Sequence, residues 1–113
     1  MQNRVELNLG GVIYSKSENG IEAQWIFNNK GEILSGTGNG IRLTELSSKN
    51  EFEGQFEITY LEENGDKSPK LILSILFQSG IYHLTWRINE KITDIGIGFE
   101  KDNKLFASYK KVN

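Results

Sequence analysis

His83 is the single histidine of this 113-residue chain, which has no cysteine. A general base needs a partner and a pocket, and a structural zinc site needs several His or Cys ligands. One imidazole supplies neither. His83 also alternates with Trp86 and lies in phase with Thr85 and Arg87, which reads as a solvent-facing strand position. The carboxylates Glu51, Glu53 and Glu57 are spaced by even steps, so they share one face of a strand. Acid-base cleavage of glycosides needs two carboxyls flanking a bond across a cleft. A row of acids along one strand is instead a solvated face that repels edge-to-edge pairing. Glu62-Glu63-Asn64-Gly65-Asp66 lacks the ligand spacing of a calcium loop and reads as a hairpin loop. No catalytic residue, metal or cofactor is expected.

The aromatic set carries more. Trp25, Phe56, Tyr60, Tyr82, Trp86 and Tyr109 fall on the apolar side of alternating segments. Such side chains bring large apolar area, and tyrosine hydroxyls add the few polar contacts typical of a ligand pocket. They either fill a core or line a site for a small, mostly apolar ligand. Basic residues do not cluster with them, as a single-stranded nucleic-acid platform would require. The balance of 13 basic and 15 acidic residues leaves no field to recruit nucleic acid or an anionic membrane.

The elements that position these residues are strands. Turn-forming Asn, Asp and Gly recur at Asn19-Gly20, Asn28-Asn29-Lys30-Gly31, Gly38-Asn39-Gly40, Ser47-Ser48-Lys49-Asn50, Asn64-Gly65-Asp66, Ser79-Gly80, Asn89-Glu90-Lys91 and Lys101-Asp102-Asn103. No segment between them holds a 3.6-residue apolar period. The spacing predicts nine strands, near 4–14 (bent at Gly10-Gly11), 21–27, 32–38, 41–46, 51–60, 70–78, 81–88, 92–99 and 104–110. Phe52, Gly54, Phe56, Ile58 and Tyr60 form one face of the fifth. Ile21, Ala23, Trp25 and Phe27, and likewise Tyr82, Leu84, Trp86 and Ile88, form inward faces elsewhere. The segment from Leu71 to Phe77 is apolar on both faces. Its second face, with Ile72 and Leu76, is either covered within the chain or forms a homodimer interface.

A meander this long leaves two adhesive edges unless it closes. The expected fold is therefore one all-β domain over residues 1–113, a single antiparallel meander of eight or nine strands closed into an up-and-down barrel. Such a barrel is just wide enough to be filled by side chains or to hold one small ligand. No run approaches the roughly 18 apolar residues of a membrane helix. The start, Met1-Gln2-Asn3-Arg4-Val5-Glu6, lacks a signal-peptide core, and the expected location is the cytoplasm.

One pattern occurs twice. Gly20-Ile21 leads to Trp25, then to Asn28-Asn29-Lys30 and Gly36-Thr37-Gly38; Gly80-Ile81 leads to Trp86, then to Asn89-Glu90-Lys91 and Gly96-Ile97-Gly98. The glycines mark strand bends or close backbone approach. The second copy adds Tyr82, where the first has Glu22 and Ala23. With the meander, the segment Gly80 to Trp86, and the closing strands at Gly96-Ile97-Gly98 and Leu105 to Tyr109, the chain resembles the lipocalin and avidin barrels, the calycin-like folds. Gly10-Gly11-Val12 stands where lipocalins carry Gly-x-Trp, and the ring of biotin-contacting residues of avidin has no match. The resemblance implies a barrel with a cavity at one end.

Overall fold

The computed structural model describes residues 5–45 and 50–112. They form eight strands, β1 (Leu9–Ser17), β2 (Gly20–Asn29), β3 (Glu32–Arg42), β4 (Gly54–Glu62), β5 (Leu71–Gln78), β6 (Ile81–Ile88), β7 (Lys91–Lys101) and β8 (Lys104–Lys111). Each pairs antiparallel with the next, and β8 returns to β1 to close the barrel. The described residues contain no helix long and apolar enough to cross a membrane.

The hairpin turns follow from local chemistry. Lys30-Gly31, Ser79-Gly80 and Asp102-Asn103 each place two consecutive residues at positive φ. That geometry twists the chain in the sense of the strands it joins.

Eight strands replace the expected nine because Gly38-Asn39-Gly40 is not a turn. Neither glycine has a positive φ, and β3 runs through both, pairing Gly38 with Ala23 and Tyr60, and Gly40 with Ile21 and Ile58. A Cβ on Gly38 would lie 2.7 Å from the Tyr60 ring. These glycines give room, not reversal. The ladder likewise passes unbroken through Gly10-Gly11, so the first strand is 9–17 rather than 4–14. Leu46 and Ser47-Ser48-Lys49 lie outside the described residues.

Residues 51–53 form a turn rather than the start of a strand. The turn folds over one end of the barrel and inserts Phe52, which is 0% exposed. Arg42 fixes it: Nη1 donates to the Glu53 carbonyl at 2.8 Å, Nη2 donates to that of Glu51, and the guanidinium sits 4.7 Å above the Phe56 ring. Asn50 donates to the Tyr82 hydroxyl at 2.8 Å and accepts from the Phe52 N–H at 3.1 Å. Beneath this plug Tyr14, Ile21, Phe56, Ile58, Leu73, Leu84 and Leu105 are fully buried. This half of the barrel is a packed core. The other end carries the β2–β3, β4–β5 and β6–β7 connections and the end of β8.

Candidate functional site

At that second end the interior opens into a cavity of about 330 Å³. The size lies at the lower edge of the range for small-molecule sites. Trp25 and Phe27 come from β2, Tyr60 from β4, Trp86 from β6 and Tyr109 from β8. The rings hold one another: Trp25 meets Tyr60 edge-on at 6.4 Å, Tyr109 stacks on Phe27 at 5.7 Å, and Trp86 tilts against Tyr109 at 5.5 Å. Backbone acceptors set two of them further. Trp25 Nε1 donates to the Thr37 carbonyl at 2.9 Å, and the Tyr109 hydroxyl to the Ile26 carbonyl at 3.0 Å.

The polar groups of the cavity lie at two levels. Deep in the wall, the Tyr14 and Tyr60 hydroxyls are 2.6 Å apart, and Trp86 Nε1 donates to the Tyr60 oxygen at 2.6 Å. Burial raises the pKa of both phenols, so they stay protonated. Nearer the rim stand Glu62, Asp66, Lys67, Ser68 and Lys111. The Lys111 ammonium sits 5.1 Å above the Phe27 ring.

Asp94 faces the same cavity and is half-buried. Desolvation raises its pKa, against a smaller opposing pull from Thr93 and Lys111. A register shift aims it. Trp86 pairs with Asp94 while Arg87 pairs with Ile92, which leaves Thr93 as the extra residue of a β-bulge. The sequence reading missed Asp94. The signal was its phase: two and four residues before the inward-facing Gly96 and Gly98, it must point the same way.

Four of the six aromatic candidates, Trp25, Tyr60, Trp86 and Tyr109, meet around the cavity. Phe56 and Tyr82 do not. Phe56 belongs to the packed half, and the Tyr82 hydroxyl is held at the plugged end, donating to Glu100 Oε1 at 2.8 Å while accepting from Asn50. Tyr82 stands two full periods of alternation before Trp86 on β6, too far back to share its level. His83 points outward, its Nε2 3.2 Å from the Gln78 carbonyl. Glu51 pairs with Lys16 at 3.7 Å and Glu57 with Lys70 at 3.8 Å; Glu53 accepts from the Phe77 N–H at 2.9 Å. Asn64-Gly65-Asp66 is a tight loop closed by the Asp66 N–H on Asn64 Oδ1 at 2.9 Å.

No described strand covers the outer face of β5, where Leu76 is 51% exposed and Ile72 half-buried. A broader apolar surface lies elsewhere on the outer wall. Ile26, Ile13, Phe106, Phe99 and Ile97 line one shallow groove across β2, β1, β8 and β7. Ile26, Phe99 and Ile97 are each more than half exposed, and Phe99 stacks on Phe106 at 5.9 Å. Comparison with known protein families, curated proteins and solved structures gives no match for this chain.

Proposed function

We propose that this protein is a non-enzymatic binding barrel of lipocalin/avidin-like type that holds one small, mostly apolar molecule in the aromatic cavity. One observation carries the reading. The same barrel is packed solid at one end and open at the other, and the open end is where both tryptophans and two half-buried tyrosines converge. A barrel built only for stability gains nothing from an unfilled interior, because every missing contact forfeits dispersion energy. Titration with naphthalene-sized apolar probes, followed by Trp fluorescence in the Trp25→Phe variant so that Trp86 alone reports, gives a saturable change. Leu34→Trp, which adds bulk at the rim of the cavity, abolishes it. Absence of saturable binding across such probes overturns the reading.

A second reading rests on the outer wall. Exposed contiguous apolar surface of several side chains marks interaction sites on soluble domains, and the occupant proposed here is a second copy of the chain. Pairing through the Phe99–Phe106 surface is favoured over pairing through Ile72 and Leu76, where fewer apolar side chains are exposed. Sedimentation of the wild type as a dimer, and of Phe99→Glu as a monomer, is the expected result. A wild-type monomer at high concentration removes this reading.

A further inference from the structure

We infer that the ligand of this cavity carries an uncharged hydrogen-bond acceptor, a carbonyl oxygen, at its inner end, received by a hydroxyl of the Tyr14–Tyr60 pair. The inference rests on the binding-barrel reading and adds to it the chemical class of the ligand.

Three donors meet deep in the cavity wall: the indole N–H of Trp86 and the hydroxyls of Tyr14 and Tyr60. They make two bonds, Trp86 to Tyr60 and one between the two phenols. Each of these three polar atoms therefore has a partner, yet one hydroxyl hydrogen is left over. If Tyr14 donates to Tyr60, the remaining hydrogen is that of Tyr60; if Tyr60 donates, it is that of Tyr14. Tyr60 keeps part of its surface open to the cavity, whereas Tyr14 is fully buried in the wall, so a ligand meets the free hydrogen when Tyr14 donates to Tyr60. A buried donor without an acceptor is costly, and an acceptor brought by a ligand removes that cost.

Three features decide the charge of that acceptor. The cationic groups of the cavity, Lys67 and Lys111, are exposed residues at its rim. Asp94 is cross-strand from Trp86 and faces the same interior, so an anion at the inner end would meet a carboxylate, while Lys111, which pulls on that carboxylate, is an exposed residue at the rim. The left-over hydroxyl hydrogen needs a lone pair, which a cation does not bring, whatever it gains from Asp94. A neutral ketone, aldehyde, ester or amide on an apolar or aromatic frame fits all three.

The test uses three probes of one shape: 2-acetylnaphthalene, 2-isopropenylnaphthalene, in which a methylene replaces the carbonyl oxygen, and 2-naphthoate. Calorimetry is expected to give the ketone at least about fivefold tighter binding than the alkene, since stranding a buried donor costs about 1–3 kcal/mol, or roughly 5- to 150-fold. The anion binds more weakly than the ketone. The carbonyl stretch of ¹³C-labelled ketone moves to lower frequency in the complex. Tyr14→Phe keeps the preference, because Tyr60 then has no phenol to donate to. Tyr14→Phe/Tyr60→Phe/Trp86→Phe, which removes all three inner donors, loses the preference and the frequency shift while still binding the alkene, which certifies its fold. Equal binding of ketone and alkene by the wild type, or a shift that survives in the triple variant, overturns the inference and leaves the binding reading standing. Tightest binding by 2-naphthoate overturns it equally. Failure of all three probes removes both.

Discussion

Replacing one hydroxyl of the phenol pair is expected to be far worse than replacing the other. Tyr60 oxygen is the hub: it accepts from Trp86 Nε1 and bonds the Tyr14 hydroxyl, each at 2.6 Å. Tyr60→Phe removes both bonds and takes the acceptor from a buried indole N–H. Two bonds at about 0.5–1.5 kcal/mol each, with about 1–3 kcal/mol for a stranded donor, place the loss at about 2–6 kcal/mol. Tyr14→Phe removes one bond and leaves no more unpaired hydrogens than the wild type has, because Tyr60 still accepts from Trp86. Its loss is about 0.5–1.5 kcal/mol. Neither change alters packing volume by more than an oxygen atom. For 113 residues, an unfolding entropy of about 2.1 cal/mol/K per residue makes 1 kcal/mol worth about 4 °C in Tm. Calorimetry at pH 7 is therefore expected to show Tyr60→Phe lowered by about 8–24 °C and Tyr14→Phe by about 2–6 °C. In heteronuclear NMR the Trp86 indole N–H resonance holds its position in Tyr14→Phe and moves in Tyr60→Phe. Equal losses for the two variants, or a larger loss for Tyr14→Phe, would refute the assignment of Tyr60 as the hub.

Three further outcomes follow from other parts of the molecule. Gly10→Ala puts a Cβ 2.2–2.6 Å from the Tyr109 ring; the ring must leave its stack on Phe27, and overpacking of about 1–3 kcal/mol lowers Tm by about 4–12 °C with a changed near-UV dichroism. An unchanged Tm would show that the ring moves freely. Phe52→Ala empties the plug of the closed end and costs about 3–5 kcal/mol, read as a shift of the urea midpoint. Asp94→Asn tests the raised carboxyl by pH. The fold holds the Asp94 proton to higher pH than the unfolded chain does, so wild-type stability falls as pH rises from the unfolded value near 3.9 through the folded one. Wild type and Asp94→Asn should match below that window, and the variant should be the more stable above it; a variant less stable at pH 7 contradicts the desolvation account.

Most of the fold was legible because alternation and turn chemistry are local. The inward faces of β2, β4 and β6 followed from a period of two, and the β6 limits agree with 81–88. What was not legible came from glycine. In Gly38-Asn39-Gly40 the residues that form turns are also the residues that make room for a large neighbour, and only the packing of Tyr60, Ile21 and Ile58 separates the two uses. Phe52 posed a similar problem: its phase with Phe56 and Ile58 was right, but it enters the core from a turn. The split of the aromatic candidates depended on height along the barrel axis. Alternation assigns a face and says nothing about which end is open, so Tyr82 and Trp86 read alike in sequence and lie in different halves of the interior.

The repeat seen in the sequence is a relation between two halves of the barrel, and its register differs from the one that spacing suggests. Trp25 pairs with Gly36 on β3, and Gly38 with Tyr60 on β4; Trp86 pairs with Asp94 on β7, and Gly96 with Tyr109 on β8. Thus Gly36, Gly38 and Gly40 correspond to Asp94, Gly96 and Gly98, and Tyr60 corresponds to Tyr109. Each half contributes a Trp strand, a glycine strand and a Tyr strand, and the two glycine strands lie opposite each other in an eight-membered ring. Missing Cβ atoms on opposite walls give four large rings space to border a cavity without filling it. The correspondence also isolates what a symmetric barrel would lack. Asp94 stands where the first half has Gly36. By the same ladders, Tyr14 pairs with Ala23 and Ile75 pairs with Leu84, so the phenol of Tyr14 stands where the second half has Ile75. The phenol partner of Tyr60 and the cavity carboxylate are both departures from the repeat. Curvature and aromatic lining are thus shared by the two halves, whereas the polarity that distinguishes one ligand from another is concentrated where they differ.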